Sequence, residues 1–127
     1  MGNEMAAGSS SSKAFVEKEI ADNKVVVFSS ACPAFHSFLA RPPQFCVKAK
    51  RVLDAFKSSG LDYKVIELDQ RRDGSQIQSA LAAVTGQRTV PNVFVNGKSI
   101  GGGDETAYLH SSGKLRELLV ECGAISA

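Results

Sequence analysis

Covalent chemistry in this 127-residue chain rests with three cysteines, Cys32, Cys46 and Cys122. So small and odd a number does not build the disulfide framework of a secreted domain; it fits a reducing compartment with one reactive pair. A cysteine becomes a nucleophile when its thiolate is favoured, as at the N-terminus of a helix. Cys32 is followed by Pro33 and Cys46 is preceded by Phe45, with thirteen residues between the cysteines. On spacing alone they read as two unconnected cysteines, one in a loop and one on a helix face. Cys122 falls in the last helical pattern, as a small core or boundary residue.

A second group of residues reads as a binding site. Gly86 to Thr106 is GQRTVPNVFVNGKSIGGGDET. Thr89-Val90-Pro91 leads into a short apolar run, and an X-Pro bond in such a turn can be cis. Val90 could then offer its N–H and C=O to an extended peptide. Gly101-Gly102-Gly103 would allow close approach of a ligand to the backbone. Asp104 is placed to cap a helix whose dipole favours an anionic group. Together these suggest a small, extended, acidic peptide as ligand. On the glycines alone, a plain hairpin with a glycine loop is the favoured reading.

The elements that position these residues follow from periodicity. Residues 1–12 end in a serine run and are expected to form a disordered tail ahead of a domain spanning 13–127. Phe15, Val16 and Ile20 predict a short amphipathic helix over Lys13–Asp22. Lys24–Ser29 (KVVVFS) reads as a strand buried on both faces. Phe45, Ala49, Val52, Leu53 and Phe56 line one face of a helix, and Tyr63–Leu68 supplies a second strand. Asp73 or Ser75 caps a third helix with Ile77, Leu81 and Val84 on one face and Gly86 as its C-cap. Asn96-Gly97 closes a hairpin. A helix after Asp104 ends before Gly113, and Leu115, Leu118, Leu119 and Cys122 line the last one. A strand–helix–strand unit plus a hairpin predicts an α/β domain: a four-stranded mixed sheet flanked by helices. The hydrophobic fraction of 43% supplies a core, and a net charge of +2 gives no case for nucleic acid or membrane. No apolar run reaches spanning length and no secretory signal is visible, so a cytoplasmic monomer is expected.

From about Lys13 to Ile125 the chain resembles the glutaredoxin family. Thr89-Val90-Pro91 matches the family's TVP motif, Gly101-Gly102 and Asp104 match its glycine pair and acidic cap, and the order of elements agrees. The resemblance implies a thioredoxin fold and a glutathione-dependent thiol–disulfide oxidoreductase. In it Cys32 would be the nucleophile and Cys46 the resolving thiol. Thr89, Val90 and Pro91 would hold the cysteinyl part of glutathione, Gly102, Gly103 and Asp104 its γ-glutamyl end, and Gln78 its glycine carboxylate. Glutathionylated or disulfide-bearing proteins would be the partners. The alternative is a scaffold without turnover that holds glutathione or a glutathione-ligated iron–sulfur cluster. His36, with Cys32 and Cys46, could ligate a metal, but no fourth ligand is evident and no metal site is expected.

The family motif Cys-Pro-aromatic-Cys is split here. Cys32-Pro33 and Phe45-Cys46 look like its halves, separated by the eleven residues Ala34 to Gln44. Ser30 stands where the family usually has a lysine. Two registers are open. If the strand sets it, Cys32 stays at the nucleophile site and the insertion bulges behind it. If the helix sets it, Cys46 keeps the resolving position and Pro43 falls where the nucleophile belongs; Pro42-Pro43 is a natural helix start.

Overall fold

The computed structural model describes residues 3–30, 43–87 and 89–126. Cys32, His36 and residues 34–42 of the insertion lie outside these. The described elements are helix α1 (Asn3–Asp22), strand β1 (Val25–Ser29), helix α2 (Pro43–Asp54), strand β2 (Lys64–Glu67), helix α3 (Gly74–Thr85), strands β3 (Asn92–Val95) and β4 (Lys98–Gly101), and helices α4 (Gly103–Ser111) and α5 (Lys114–Glu121). The strands form one mixed sheet in the order β2-β1-β3-β4. β1 runs parallel to β2 and antiparallel to β3, and β3 pairs antiparallel with β4. This is the expected four-stranded mixed sheet, and the thioredoxin fold.

The run VVVFS is buried at every position because β1 is a central strand covered on both faces. Its side chains alternate between two cores. Val26 and Phe28 join Val16 of α1, Ile66, Phe94 and the α3 residues Ile77, Ala80 and Leu81. Val25 and Val27 point the other way, to Ala49 and Leu53 of α2, Val93, Val95, and Leu115 and Leu119 of α5. Phe28 and Phe94 meet edge to face, ring centroids 5.7 Å apart. The hairpin is as expected: Asn96 (φ 53°) and Gly97 (φ 81°) both take the left-handed conformation that a two-residue turn requires.

Several boundaries differ from expectation. α1 begins at Asn3, so residues 3–12 extend the helix where a disordered tail is expected. The segment holds no proline or β-branched residue, and a helix once nucleated by packing propagates cheaply. Ser12 is already buried. β2 covers only Lys64–Glu67; Lys64 stands opposite Val26, and Glu67 opposite Ser29, the last residue of β1. Leu68 then turns into a short 3-10 segment and is buried there. Asp73 stands at the start of α3 without a side-chain cap bond; its carboxylate pairs with Arg71 instead. Val84 is exposed, not part of the buried face of α3.

Candidate functional site

The site lies beyond the end of β1. Pro43 is the first residue of α2, where its fixed φ suits the helix and its missing N–H costs nothing. Cys46 therefore falls in the first turn. Ala49 and Leu53 seat α2 on one sheet face, yet Cys46 belongs to the core cluster of the opposite face, with Phe28 and Val90. The first turn of α2 thus reaches over the strand end, where the Ser30 N–H donates to Cys46 Sγ at 3.4 Å. The thiol is only 1% exposed. Burial raises its pKa above the ordinary thiol value; the Ser30 N–H and the Lys50 ammonium oppose that shift without cancelling it. Lys50, one turn further on, pairs with Glu67, which also accepts from the Ser29 hydroxyl at 2.6 Å. These half-buried groups tie the end of β1 to α2 and β2.

The Thr89–Pro91 segment enters the same region. Asn92 pairs with Phe28, which sets Pro91 alongside the end of β1. The Val90–Pro91 bond is cis, and Val90 and Pro91 are buried. Gln87 Nε2 donates to the carbonyls of Thr89 (2.9 Å) and Pro91 (3.0 Å). Behind it, Thr85 Oγ1 accepts from the Gln87 N–H at 3.0 Å and from Asn92 Nδ2 at 3.3 Å. Asn92 Oδ1 in turn accepts from the Ser99 hydroxyl at 2.7 Å.

The glycine loop closes against this segment. A Cβ on Gly102 would stand 3.2 Å from the Pro91 carbonyl oxygen, and one on Gly101 would strike the Glu105 side chain at 2.8 Å. Gly101 also has a positive φ of 104°, so both its conformation and its packing require glycine. The cap of α4 is not Asp104. Gly102 holds the N-cap position, and its N–H is accepted by Glu105 Oε1 at 2.9 Å. Its carbonyl accepts from the Thr106 hydroxyl at 2.7 Å. Because the helix begins at Gly103, Asp104 lies inside the first turn, where it pairs with Lys48 of α2 at 2.9 Å.

The structure brings together Cys46, Val90, Pro91, Gly102 and Gly103, with Asp104 at the rim facing α2. Thr89 is half-buried beside them. Gln78 lies on the inner side of α3, next to Ile77, and is 4% exposed. Cys122 is half-buried and distant in role, its thiol directed at the Leu119 carbonyl. Among the described residues no cluster of three or more His, Cys, Asp or Glu could hold a metal. Gln87 and Glu105 were not foreseeable as site residues from type alone. The usable signals are an amide two residues before Thr89 and an acid three residues after Gly102.

A glutaredoxin family model matches residues 25–100, which include Cys46 and Thr89–Pro91 and end just before the glycine loop. The chain belongs to the glutaredoxin family. It is 49% identical over 112 residues to glutaredoxin-C6 of Oryza sativa subsp. japonica, covering 87% of this chain and 88% of that protein. Its fold matches the crystal structure of oxidized glutaredoxin 2 from Chlamydomonas reinhardtii with a TM-score of 0.78 and 42% identity, over 92% of this chain and 98% of that one. It also matches a buckwheat glutaredoxin–glutathione complex with a TM-score of 0.75 and 40% identity, over 94% and 97% of the two chains. As a glutaredoxin the protein is a thiol–disulfide oxidoreductase.

Proposed function

We propose that this glutaredoxin reduces protein–glutathione mixed disulfides and protein disulfides at the expense of glutathione, with Cys32 as nucleophile and Cys46 as resolving thiol. The observation that carries the role assignment is the environment of Cys46. A buried thiol with a raised pKa, under the Ser30 N–H, is a poor first attacker and is well held for a second, intramolecular step. The attack then belongs to Cys32, the remaining member of the split motif. Its thiolate attacks the glutathione sulfur of a mixed disulfide. The sulfur–sulfur bond of the mixed disulfide breaks, the target leaves as thiolate, and a Cys32–glutathione disulfide forms. A second glutathione thiolate attacks that disulfide, regenerating Cys32 and releasing oxidised glutathione. For a protein disulfide, Cys46 displaces the target from Cys32 and the resulting pair is reduced by two glutathiones.

Glutathione is taken to lie along Thr89–Val90–Pro91, with its γ-glutamyl end at Gly102, Gly103 and Asp104. The buried loop, the close-packed glycines and the α4 N-terminus support this, as does the glutathione in the buckwheat relative. Gln78 is kept as the partner of the glycine carboxylate on the family resemblance alone. The same reading has the protein act as a monomer in a reducing cytoplasm, in keeping with its few and odd-numbered cysteines. The test is turnover of a glutathionylated peptide and of a protein disulfide by the full chain and two variants. Cys32→Ser should abolish both activities. Cys46→Ser should keep the first and lose most of the second. Full activity in Cys32→Ser would overturn the assignment.

A further inference from the structure

We infer that Gln87 is a positioning residue for the glutathione-holding segment: its side-chain amide fixes the carbonyls of Thr89 and Pro91, and so sets where Val90 presents its peptide groups. The inference rests on the reading above that Thr89–Pro91 receives glutathione. Gln87 Nε2 has two N–H donors, and two backbone carbonyls lie at 2.9 and 3.0 Å from it. The orientation of the amide is dictated, since the reverse would set its oxygen against two carbonyl oxygens. The two acceptors bracket Val90, one residue on either side. A single side chain therefore pins both ends of the three-residue segment.

The strap is anchored. The Gln87 N–H donates to Thr85 Oγ1, and that hydroxyl donates to the Leu81 carbonyl at 2.8 Å, fixing the strap to the last turn of α3. Asn92 Nδ2 donates to the same hydroxyl oxygen, and Ser99 holds the other end of the Asn92 amide, which joins the strap to β3 and β4. On its far side the Pro91 carbonyl faces Gly102, where a Cβ would approach to 3.2 Å. Losing the Gln87 donors would release the Pro91 carbonyl toward the glycine loop, so both halves of the ligand site would shift together. Two half-buried carbonyls left without donors would also have to find water or move.

Two substitutions separate donation from bulk. Gln87→Ala removes the amide; Gln87→Glu keeps its length but offers acceptors to two acceptors. Glutathione affinity is measured by NMR titration of the full chain, with hydrogen exchange of the Thr89 and Val90 amides and the thermal midpoint recorded on the same samples. Gln87→Ala should weaken glutathione about tenfold, or ~1.4 kcal/mol, and speed exchange at residues 89 and 90. Gln87→Glu should be no better than Ala on either readout. A residue that served only to fill space would be rescued by Glu, and that rescue would overturn the inference. Unchanged affinity and exchange in both variants would overturn it too. If the wild-type chain shows no saturable glutathione shift, the functional reading fails, and exchange at residues 89 and 90 alone then decides whether Gln87 fixes the segment.

Discussion

Single residues divide the work of this site between reactivity and placement. Cys46 is placed: it is almost wholly enclosed, and burial holds its thiol protonated at neutral pH. Iodoacetamide should therefore modify Cys46 in the native chain at least roughly tenfold more slowly than in urea, as expected for a thiol with raised pKa and little access. Equal rates, followed by peptide mapping, would contradict the burial. Asp104 and Glu105 make a second residue-scale case. Glu105 accepts the Gly102 N–H, whereas Asp104 is half of an exposed pair with Lys48. Glu105→Ala should cost about 1 kcal/mol, as loss of a helix-terminal bond does, and Asp104→Ala only a few tenths. Urea unfolding checks the order, and the reverse order would restore Asp104 as the cap. The cysteines, Thr89-Val90-Pro91 and the glycines were legible in the sequence because their types are chemically special. Gln87 was not, since a glutamine after a C-cap glycine looks like any loop amide until the carbonyls it meets are known.

At the scale of elements, the legible parts were those with strong periodicity or special turn chemistry. The apolar run of β1, Ala49 and Leu53 on the inner face of α2, the Asn96-Gly97 turn and the Gly86 cap all stand where the pattern puts them, while Phe56, though buried beside them, lies past the end of α2 at Asp54. What failed was extent. β2 stops at Glu67, opposite the last residue of β1, and α1 grows past its amphipathic part, since neither limit is written in local composition. The start of α2 was open between two registers; with Pro43 as first residue, the helix-set register describes Cys46. The far end of α2 is tied to the approach to β2 by the Tyr63 hydroxyl, which donates to Asp54 Oδ1 at 2.6 Å. Burial, then the Asp54 carboxylate, pushes the Tyr63 pKa well up, and the same hydrogen bond holds Asp54 below the usual carboxylate range. A tyrosine pKa raised on folding gives stability that is complete below the unfolded value of about 10 and lost as pH rises toward the folded pKa. A lowered carboxylate pKa gives stability complete above roughly pH 4 and lost as pH falls through the folded pKa. Tyr63→Phe should therefore lower the urea midpoint at pH 7 to 8 and flatten its fall at both extremes. A pH profile parallel to wild type would show that the bond does not form in solution.

For the whole molecule, the sheet and its helices match the glutaredoxin fold, while Cys32-Pro33 and Phe45-Cys46 stand apart in the sequence, one pair after β1 and the other within α2. Family membership was legible because Thr89-Val90-Pro91, the glycine loop and the order of elements survive together. The place of Cys32 was not, because eleven residues (34–44) separate Cys32-Pro33 from Phe45-Cys46 and nothing in their types fixes a path. Our central claim is that α2 holds Cys46 at the resolving position and puts Pro43, not a cysteine, where the dipole would activate a nucleophile. Deleting Ala34 to Gln44 joins Cys32-Pro33 to Phe45-Cys46 and brings Cys32 into the place of Pro43. A thiol near its free pKa of about 8.5 is only a few per cent thiolate at pH 7, and one pKa unit is a factor of ten. The deciding measurement is deglutathionylation turnover of the full chain beside this deletion form. The account predicts that the deletion is faster by at least roughly tenfold, and that Cys32→Ser within it is inactive. A full-length chain already as fast as the deletion would contradict it.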